Sequence, residues 1–453
     1  MATGSWPRLE TFLDPDNAWR GKPFWSWNGD LSREELLRQI RVMQAMGLGG
    51  FFMHSRTGLV TEYLGDTWME LTNTCADEAE RLGMEAWLYD EDRWPSGTAG
   101  GMVTVDPAYR LRFVSLRRDP GTEFAWHDDL LAAFALDIDG LRYANLERLG
   151  PDTPAEVYRE RTVITFTVEE MEPSSFYNGY TYVDTLSAEA TQRYLELTHE
   201  RYAERCGERL GQSIRGIFTD EPHRGALMSG FGISNHNGRA MAPWTAALPA
   251  EFSARFGYDL IDRLPELFLQ PEGCPTVDGA AVSPVKWHYC ELLQSLFLEN
   301  FAKPLYDWCE AHGLRLTGHV LHEDSLTCQT AMQGSLMRFY QHMHDPGVDV
   351  LTEGNRGWWI VKQLSSAARQ LGQEWLLSEL YGCTGWQMSF ESHKAVGAWQ
   401  ALFGINLRCY HLSWVTMAGE AKRDYPASIL HQSAWWRDYD YVESWFARLG
   451  VVL

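Results

Sequence analysis

Two glutamates, Glu221 and Glu379, each follow a short apolar stretch of the kind that forms a buried strand. Glu221 comes after IRGIFTD and Glu379 comes after EWLLS. Two carboxyl groups that flank a sugar linkage can hydrolyse it, because one protonates the leaving oxygen while the other attacks the anomeric carbon or activates water. The alternative for either glutamate is a helix-start or salt-bridge carboxylate, since Pro222 suits the first position of a helix. We predict that the pair is catalytic.

Polar and aromatic residues that suit sugar binding follow most of the other apolar stretches. Charged and amide side chains can hydrogen-bond sugar hydroxyls, and indole rings can stack on the apolar C–H faces of a sugar. The predicted substrate-binding residues are Trp27, Asn28, His54, Arg56, Asp90, Asp92, Trp94, Asp220, His319, Glu323, Glu353, Tyr381, Trp386, His411 and Trp414. The sequence therefore predicts one binding site that is dense in carboxylates, histidine and tryptophan.

Structural roles compete with sugar binding at several of these positions. Asp90 and Asp92 precede the turn at residues 94–97, so they would bind sugar hydroxyls or Ca²⁺, or would only cap that turn. His54 and Arg56 would bind hydroxyls or would form a buried structural pair. Both interpretations stay open at the level of the sequence.

His319, His322 and Glu323 resemble a cluster of metal ligands. Their spacing brings the three side chains together only on a helix, and here a strand is ending. Metal catalysis is therefore the weaker alternative, and the sequence does not identify a metal.

A recurring unit of helix, glycine and short apolar strand would position these residues. The units read AMGLGGFFMHSR, RLGMEAWLYDED, RLGQSIRGIFTDEP, AHGLRLTGHVLHED, QLGQEWLLSELYG and LFGINLRCYHLSW, and Ser32 with Glu35 gives the first helix a capping box. With PFWSW and GVDVL the strands number eight, which predicts a (β/α)8 barrel with Glu221 and Glu379 facing each other on strands four and seven. A doubly wound open sheet is the alternative, but its glycine-rich phosphate loops are absent from the sequence.

Two stretches interrupt the alternation of strands and helices. Residues 109–182 have β-type patterning and turn signals, which predicts a small β-rich insertion after the third strand. Residues 223–284 form a long excursion after the fourth strand, which includes SGFGISNHNGRAMAPW and would shape the substrate pocket. The predicted domains are a barrel of residues 1–108 and 183–453 and an insertion of residues 109–182.

Composition restricts the partners and the compartment. The 453 residues carry 39 basic and 61 acidic side chains, a net charge of −22 that argues against binding to nucleic acid or to an anionic membrane. Eight cysteines without a C-x-x-C pair fit reduced thiols better than a zinc site or a disulfide framework. No leader-like or membrane-spanning stretch is visible, so we expect a cytoplasmic protein whose oligomeric state is open.

Nine segments together resemble glycoside hydrolase family 106 and the wider group of α-L-rhamnosidase-like barrel proteins. These segments are PFWSWNGDLSREELLRQI, GGFFMHSRTGL, AWLYDEDRWPSG, FTDEP, LTGHVLHED, PGVDVL, SELYGCTGW, WQALFGINL and KRDYP. The resemblance implies a (β/α)8 catalytic barrel, removal of a terminal sugar and, in many members, a calcium requirement. It also implies that Glu221 is the general acid and that Glu379 is its partner carboxylate.

We therefore predict a glycosidase that cleaves a terminal, α-L-rhamnoside-like sugar from a glycoside or oligosaccharide. The proposed chemistry requires no cofactor, and Ca²⁺ enters only through the resemblance. Retention and inversion of configuration both stay open. The alternatives are a metal-dependent barrel hydrolase or isomerase and a carbohydrate-binding barrel without catalysis.

Overall fold

Eight parallel strands close into a barrel in the computed structural model, which describes residues 9–227, 240–278, 280–355 and 357–453. The strands are β1 (Lys22–Trp27), β2 (Gly50–Ser55), β3 (Glu85–Tyr89), β4 (Ile214–Asp220), β5 (Arg315–His319), β6 (Asp345–Asp349), β7 (Leu377–Leu380) and β8 (Leu407–Trp414). Each strand pairs with its neighbours in the chain, and β8 closes the barrel on β1 with Lys22 opposite Cys409. The predicted (β/α)8 fold is confirmed.

Helices surround the barrel and connect its strands. They are α1 (Leu9–Leu13), α2 (Arg33–Ala45), α3 (Asp66–Arg81), α4 (Ala188–Leu197), α5 (His199–Cys206), α6 (Leu248–Phe256), α7 (Pro265–Phe268), α8 (Pro284–Phe297), α9 (Lys303–Ala311), α10 (Leu326–Met332), α11 (Leu336–Phe339), α12 (Trp358–Leu371), α13 (Phe390–Leu402) and α14 (Asp440–Val452). A π-helical turn, Leu298–Ala302, joins α8 to α9. Within the described ranges, none of the helices combines the length and the apolar character needed to cross a bilayer.

Short 3₁₀ helices complete the connections. They are Asn17–Trp19, Pro107–Tyr109, Ala155–Val157, Ser175–Tyr177, Gly207–Arg209, Ile261–Arg263, Tyr340–His342, Gly419–Arg423 and Trp436–Asp438.

The capping and termination residues predicted for the helix after β1, which is α2, have these roles in the structure. The Ser32 side chain caps α2 by accepting a hydrogen bond from the amide of Glu35. Leu36 and Ile40 are buried at helical spacing, so this face of α2 packs on the barrel. Gly47 ends the helix at φ +78°, a left-handed conformation that favours glycine.

The barrel strands are buried on both faces. Phe24, Phe52 and Phe218 point inward and meet in edge-to-face contacts at 4.7–5.7 Å between ring centroids. Outward residues such as Trp25 and Phe51 pack against the helices. Burial of a side chain of this size contributes about 1.5–3 kcal/mol, so the two layers together hold the strand ends in place.

A six-stranded sheet is inserted into the barrel. Its strands lie in the order Gln270–Pro271, Arg142–Leu149, Leu130–Asp139, Thr162–Glu170, Arg112–Pro120 and Ala240–Trp244. Four of them come from the predicted insertion 109–182, and the two outer ones come from the excursion that follows β4. A separate hairpin pairs Thr276–Val277 with Ala280–Ala281. Residues 228–239 of that excursion lie outside the described residues.

Candidate active site

A pocket lies at the C-terminal ends of the barrel strands. Its lining residues lie on, or shortly after, seven of the eight strands, β2 to β8. It encloses about 340 Å³, including its opening to solvent. Its lining residues are Arg56, Trp94, Asp220, Glu221, His319, Asp349, Leu351, Glu379, His411 and Tyr425. Seven of these ten were predicted from the sequence, including both candidate catalytic glutamates.

Asp220 and Glu379 belong to a chain of polar contacts across the pocket. The Tyr89 hydroxyl donates to Asp220 Oδ2 at 2.6 Å, and His319 Nε2 lies 3.3 Å from Asp220 Oδ1. His319 Nε2 lies 3.8 Å from Glu379 Oε2, and His411 Nε2 lies 3.5 Å from Glu379 Oε1. Burial lowers the pKa of both histidines, so neutral imidazoles face Glu379 at physiological pH.

Glu221 has an unusual backbone conformation. Its φ of +49° lies in the left-handed region, which costs a residue other than glycine about 1–2 kcal/mol. Its amide donates to the carbonyl of His319 at 3.1 Å, which ties it to the neighbouring strand. Residues 221–226 form no helix, so neither Glu221 nor Pro222 is part of a helix start. This strain is typical of a residue that is positioned for function.

The pKa values of three carboxyl groups in the pocket are raised. Burial, and then the charges of Asp220 and Asp349, raise the pKa of Glu221 well above its ordinary value. Burial and the charge of Asp349 do the same for Glu379, and burial raises the pKa of Asp349 to about 8. Because carboxylates that share a site repel one another, the group retains at least one proton at neutral pH.

Arg56 is the cation in this pocket, and it is already paired. Its Nε and Nη2 donate to the two carboxylate oxygens of Asp424 at 2.6 and 3.1 Å. The guanidinium carbon lies 4.2 Å from the ring centroid of Trp94, which is a cation–π distance. Arg56 therefore fixes one wall of the pocket, and its charge is balanced by Asp424.

Three predicted residues lie behind the pocket wall. His54 is fully buried, and its ring stacks on Tyr89 with centroids 3.6 Å apart. Glu323 Oε2 accepts a hydrogen bond from the amide of Asp349 at 2.7 Å. Asp90 accepts a hydrogen bond from a serine hydroxyl of the following turn at 2.5 Å. These side chains support pocket residues and do not line the pocket.

Three further predicted residues have structural contacts. The indole of Trp27 packs edge-on against Trp68 at 4.7 Å in the layer between strands and helices. The amide of Asn28 forms two hydrogen bonds with the backbone of Thr416, at 3.0 and 3.1 Å. Trp414 is fully buried in the cluster inside the barrel. None of the three lines the pocket.

The four remaining predicted residues do not line the pocket. Asp92 accepts a hydrogen bond from a serine of β2 at 2.7 Å, and Glu353 accepts one from a serine of α13 at 2.7 Å. The Tyr381 hydroxyl donates to a backbone carbonyl of α13 at 3.0 Å. Trp386 is 40% exposed, and its ring packs edge-on against Trp414 with centroids 5.7 Å apart.

Sequence reasoning missed three residues that line the pocket. Asp349 is the last residue of β6 in the segment GVDVL, so the rule that selected the other strand-end residues would have found it. Leu351 follows two residues later. Tyr425 belongs to the loop after β8, where no periodic pattern marks its position, and it is placed there next to Asp424, the partner of Arg56.

The donor atoms of this pocket fit a divalent cation. Asp220, His319 and Glu379 each offer a ligand atom within 4.8 Å of one another, and so do Glu221, His319 and Asp349. Asp349 Oδ1 is buried without a hydrogen-bond partner, so one acceptor is available. Carboxylate oxygens suit the Ca²⁺ that the sequence resemblance implies, whereas the shared imidazole suits a transition metal better.

Comparison with known proteins relates the chain to glycoside hydrolases. No family model matches the chain. A protein named "Putative beta-glucuronidase" from Formosa agariphila is 21% identical over 510 aligned residues, which cover 98% of this chain and 41% of that protein. The chain therefore spans less than half the length of this relative.

Solved structures give the same relationship at the level of the fold. The rhamnosidase from Novosphingobium sp. PP1Y matches with a TM-score of 0.65 at 14% identity, over 98% of this chain and 60% of the rhamnosidase. The beta-galactosidase from Marinomonas ef1 matches with a TM-score of 0.50 at 10% identity, over 94% of this chain and 59% of that protein. The rhamnosidase therefore shares the fold of this chain along almost its whole length, as the predicted barrel requires.

Proposed function

We propose that this pocket hydrolyses the glycosidic bond of a terminal sugar, with Glu221 and Glu379 as the two catalytic carboxyl groups. The observation that carries the proposal is their convergence. Glutamates at the ends of β4 and β7 line one pocket, and the pKa of each is raised. A carboxylic acid that stays protonated near neutral pH can donate its proton to a leaving oxygen.

The surroundings of the two glutamates favour different roles. Glu221 faces the acidic groups of Asp220 and Asp349, which favour its protonated form and suit a general acid. Glu379 faces two neutral imidazoles. His319 Nε2 and His411 Nε2 lie 3.8 and 3.5 Å from its two carboxylate oxygens, and His411 Nε2 also lies 3.4 Å from the donor Nη2 of Arg56. Glu379 is the proposed nucleophile or general base, a role that requires its anion. Because burial and the neighbouring carboxyl groups raise its pKa, this anion forms while the other acids of the pocket hold protons.

The charges of the pocket favour a neutral sugar. Arg56 is the guanidinium in reach of the substrate, but Asp424 already binds its Nε–Nη2 edge and its Nη1 lies 3.1 Å from His54 Nε2. A sugar carboxylate would instead meet Asp220, Glu221, Asp349 and Glu379. An α-L-rhamnoside, which has no ionised group, therefore fits better than a β-glucuronide, the substrate class in the name of the curated relative.

A bound Ca²⁺ fits the same proposal. Its ligands would come from Asp220, His319 and Glu379 or from Glu221, His319 and Asp349. Since a ligating carboxylate is deprotonated, the first set is the one that leaves Glu221 as general acid. When bound, the cation would balance their charge and orient sugar hydroxyls. Arg56 and Trp94 would shape the opposite wall in either case.

The test is a panel of nitrophenyl glycosides that includes α-L-rhamnoside, β-glucuronide and β-galactoside. We expect hydrolysis of α-L-rhamnoside, with β-glucuronide turned over more slowly because its carboxylate meets the acidic wall. Activity before and after chelation, with Ca²⁺ and Zn²⁺ added back separately, distinguishes an oxygen-ligated cation from a histidine-ligated catalytic metal. Sugar binding without turnover across the panel would contradict the proposal and would favour a carbohydrate-binding barrel.

A further inference from the structure

A second cleft lies outside the candidate active site, between α8, α10 and α12 and beside the loop that follows β4. Including its opening to solvent, it encloses about 770 Å³. Arg224 lines it, three residues after Glu221, together with side chains from the three helices. The cleft is therefore connected to the candidate catalytic residue through one short segment of backbone.

Arg224 is a buried guanidinium without a counter-charge in the described part of the chain. Its exposed fraction is 0%, and only its Nη2 has a partner, the carbonyl of Thr330 at 2.7 Å. Its Nε and Nη1 have no hydrogen-bond partner. Burial lowers the pKa of Arg224 to about 10, so the group is still charged at neutral pH. A buried and unpaired charge costs several kcal/mol, which an external anion would offset.

The acidic side chain on the cleft wall does not serve Arg224. Glu291 pairs with Arg338, whose Nη1 lies 2.9 and 3.0 Å from the two carboxylate oxygens. The chain has a net charge of −22, so its overall field repels anions in general. An anion bound at Arg224 must therefore be held by the specific contacts of the cleft.

The other walls of the cleft suit a hydroxylated ring. Trp287 is 70% exposed, so its indole face is free to stack on the apolar face of a sugar. The amides of Gln329 and Gln363 bond to each other at 3.0 and 3.2 Å, and Gln294 lies nearby. These amides already have partners, so a sugar hydroxyl would bind by replacing one of these bonds, which an amide allows because it offers both donors and acceptors.

We propose that this cleft is a second saccharide site for a sugar that carries a carboxylate or sulfate group. Arg224 binds the oxyanion, Trp287 stacks on the ring, and the glutamine amides bind hydroxyls. The two sites would then differ in charge preference, since the candidate active site favours a neutral sugar.

Calorimetric titration of the whole chain with glucuronate, a glucose sulfate ester and glucose tests this site. We expect the two anionic sugars to bind and glucose to bind at least tenfold more weakly. Binding of glucuronate alone identifies the carboxylate as the group recognised, and binding of the sulfate ester alone identifies the sulfate. Equal affinity for all three sugars would overturn the proposal.

Two variants assign the binding to the cleft. Arg224→Met removes the guanidinium and should weaken anionic-sugar binding at least tenfold. Trp287→Ala changes an exposed side chain, so it should weaken binding without a loss of folding. The matched control is Trp358→Ala, because Trp358 is 56% exposed on α12 and does not line the cleft. Unchanged affinity in both the Arg224 and Trp287 variants would contradict the site.

A Glu221→Gln variant separates this inference from the proposed hydrolysis. It should bind anionic sugars with the affinity of the unaltered chain, because the cleft does not include Glu221. Loss of binding in this variant would place the anionic sugar in the candidate active site instead. If the chain hydrolyses no glycoside, the titration still reports on the cleft.

Discussion

The two ends of the barrel differ in how their buried carboxylates are neutralised. At the N-terminal end of the strands, three acidic side chains each have a cation beside them. Arg315 Nε donates to Asp345 at 2.6 Å, and Arg408 Nη2 lies 3.4 Å from Glu443, which is fully buried. Lys22 lies 3.6 Å from Glu85 at the same end.

At the C-terminal end, four carboxyl groups share a pocket with one guanidinium that is already paired. These groups are Asp220, Glu221, Asp349 and Glu379. Paired charges at one end serve to hold the barrel together, whereas unpaired acids at the other end are costly to the fold and useful to chemistry. The ion pairs at the N-terminal end therefore stabilise the barrel, and the acids at the C-terminal end belong to the proposed catalytic site.

The largest expected effect is on turnover. Glu221→Gln and Glu379→Gln should each lower kcat/KM by about 10²–10⁴-fold on the best substrate of the panel, since each removes a proton-transfer group or nucleophile. Glu374→Gln is the matched control, because Glu374 is exposed before β7 and outside the pocket. A variant that keeps near-normal activity would remove its residue from the mechanism.

The next effect is on the free energy of unfolding. Glu443→Gln leaves Arg408 buried without its counter-charge, so it should destabilise the fold by about 3–5 kcal/mol in urea denaturation. Asp349→Asn at the opposite end should be neutral or stabilising at pH 8, because it removes a poorly solvated acid. Equal destabilisation by the two variants would erase the difference between the ends.

The smallest effect, counted per pH unit, is on the pH dependence of the free energy of unfolding. The pKa of Asp349 is raised from 3.8 to about 8, so between these values the folded chain keeps a proton that the unfolded chain releases. The free energy of unfolding should therefore fall with rising pH, by up to about 1.4 kcal/mol per pH unit for this group. Denaturation of Asp349→Asn from pH 5 to pH 8 should show a shallower fall, and an unchanged slope would contradict the raised pKa.

The fold was predictable because its signals are local. Ser32, Gly47 and the helical spacing of Leu36 and Ile40 act within one turn or one element, and the structure uses each of them as predicted. The six-stranded sheet was only partly visible, since its edge strand Ala240–Trp244 pairs with a segment more than 100 residues away. No pattern in the sequence marks such a pairing.

The sequence showed which residues lie at the ends of the strands, but it did not show whether their side chains point into the pocket or toward the helices. Both faces of a barrel strand are buried, so the apolar pattern does not show which residues point inward. Trp27 therefore was as good a candidate as Trp94, yet Trp27 packs on Trp68 and only Trp94 lines the pocket. Tyr425 was missed because its position depends on a loop packed across the mouth.

The central claim is that Glu221, in the pocket at the C-terminal end of the barrel, is the general acid. The most direct test is how the rate of hydrolysis depends on the leaving group. Kinetics of Glu221→Gln should be measured on a dinitrophenyl glycoside, which needs no protonation, and on a methyl glycoside of the same sugar, which does. We predict a much smaller loss of activity on the dinitrophenyl substrate, whereas Glu379→Gln should lose activity on both. An equal loss on the two substrates in Glu221→Gln would contradict the account.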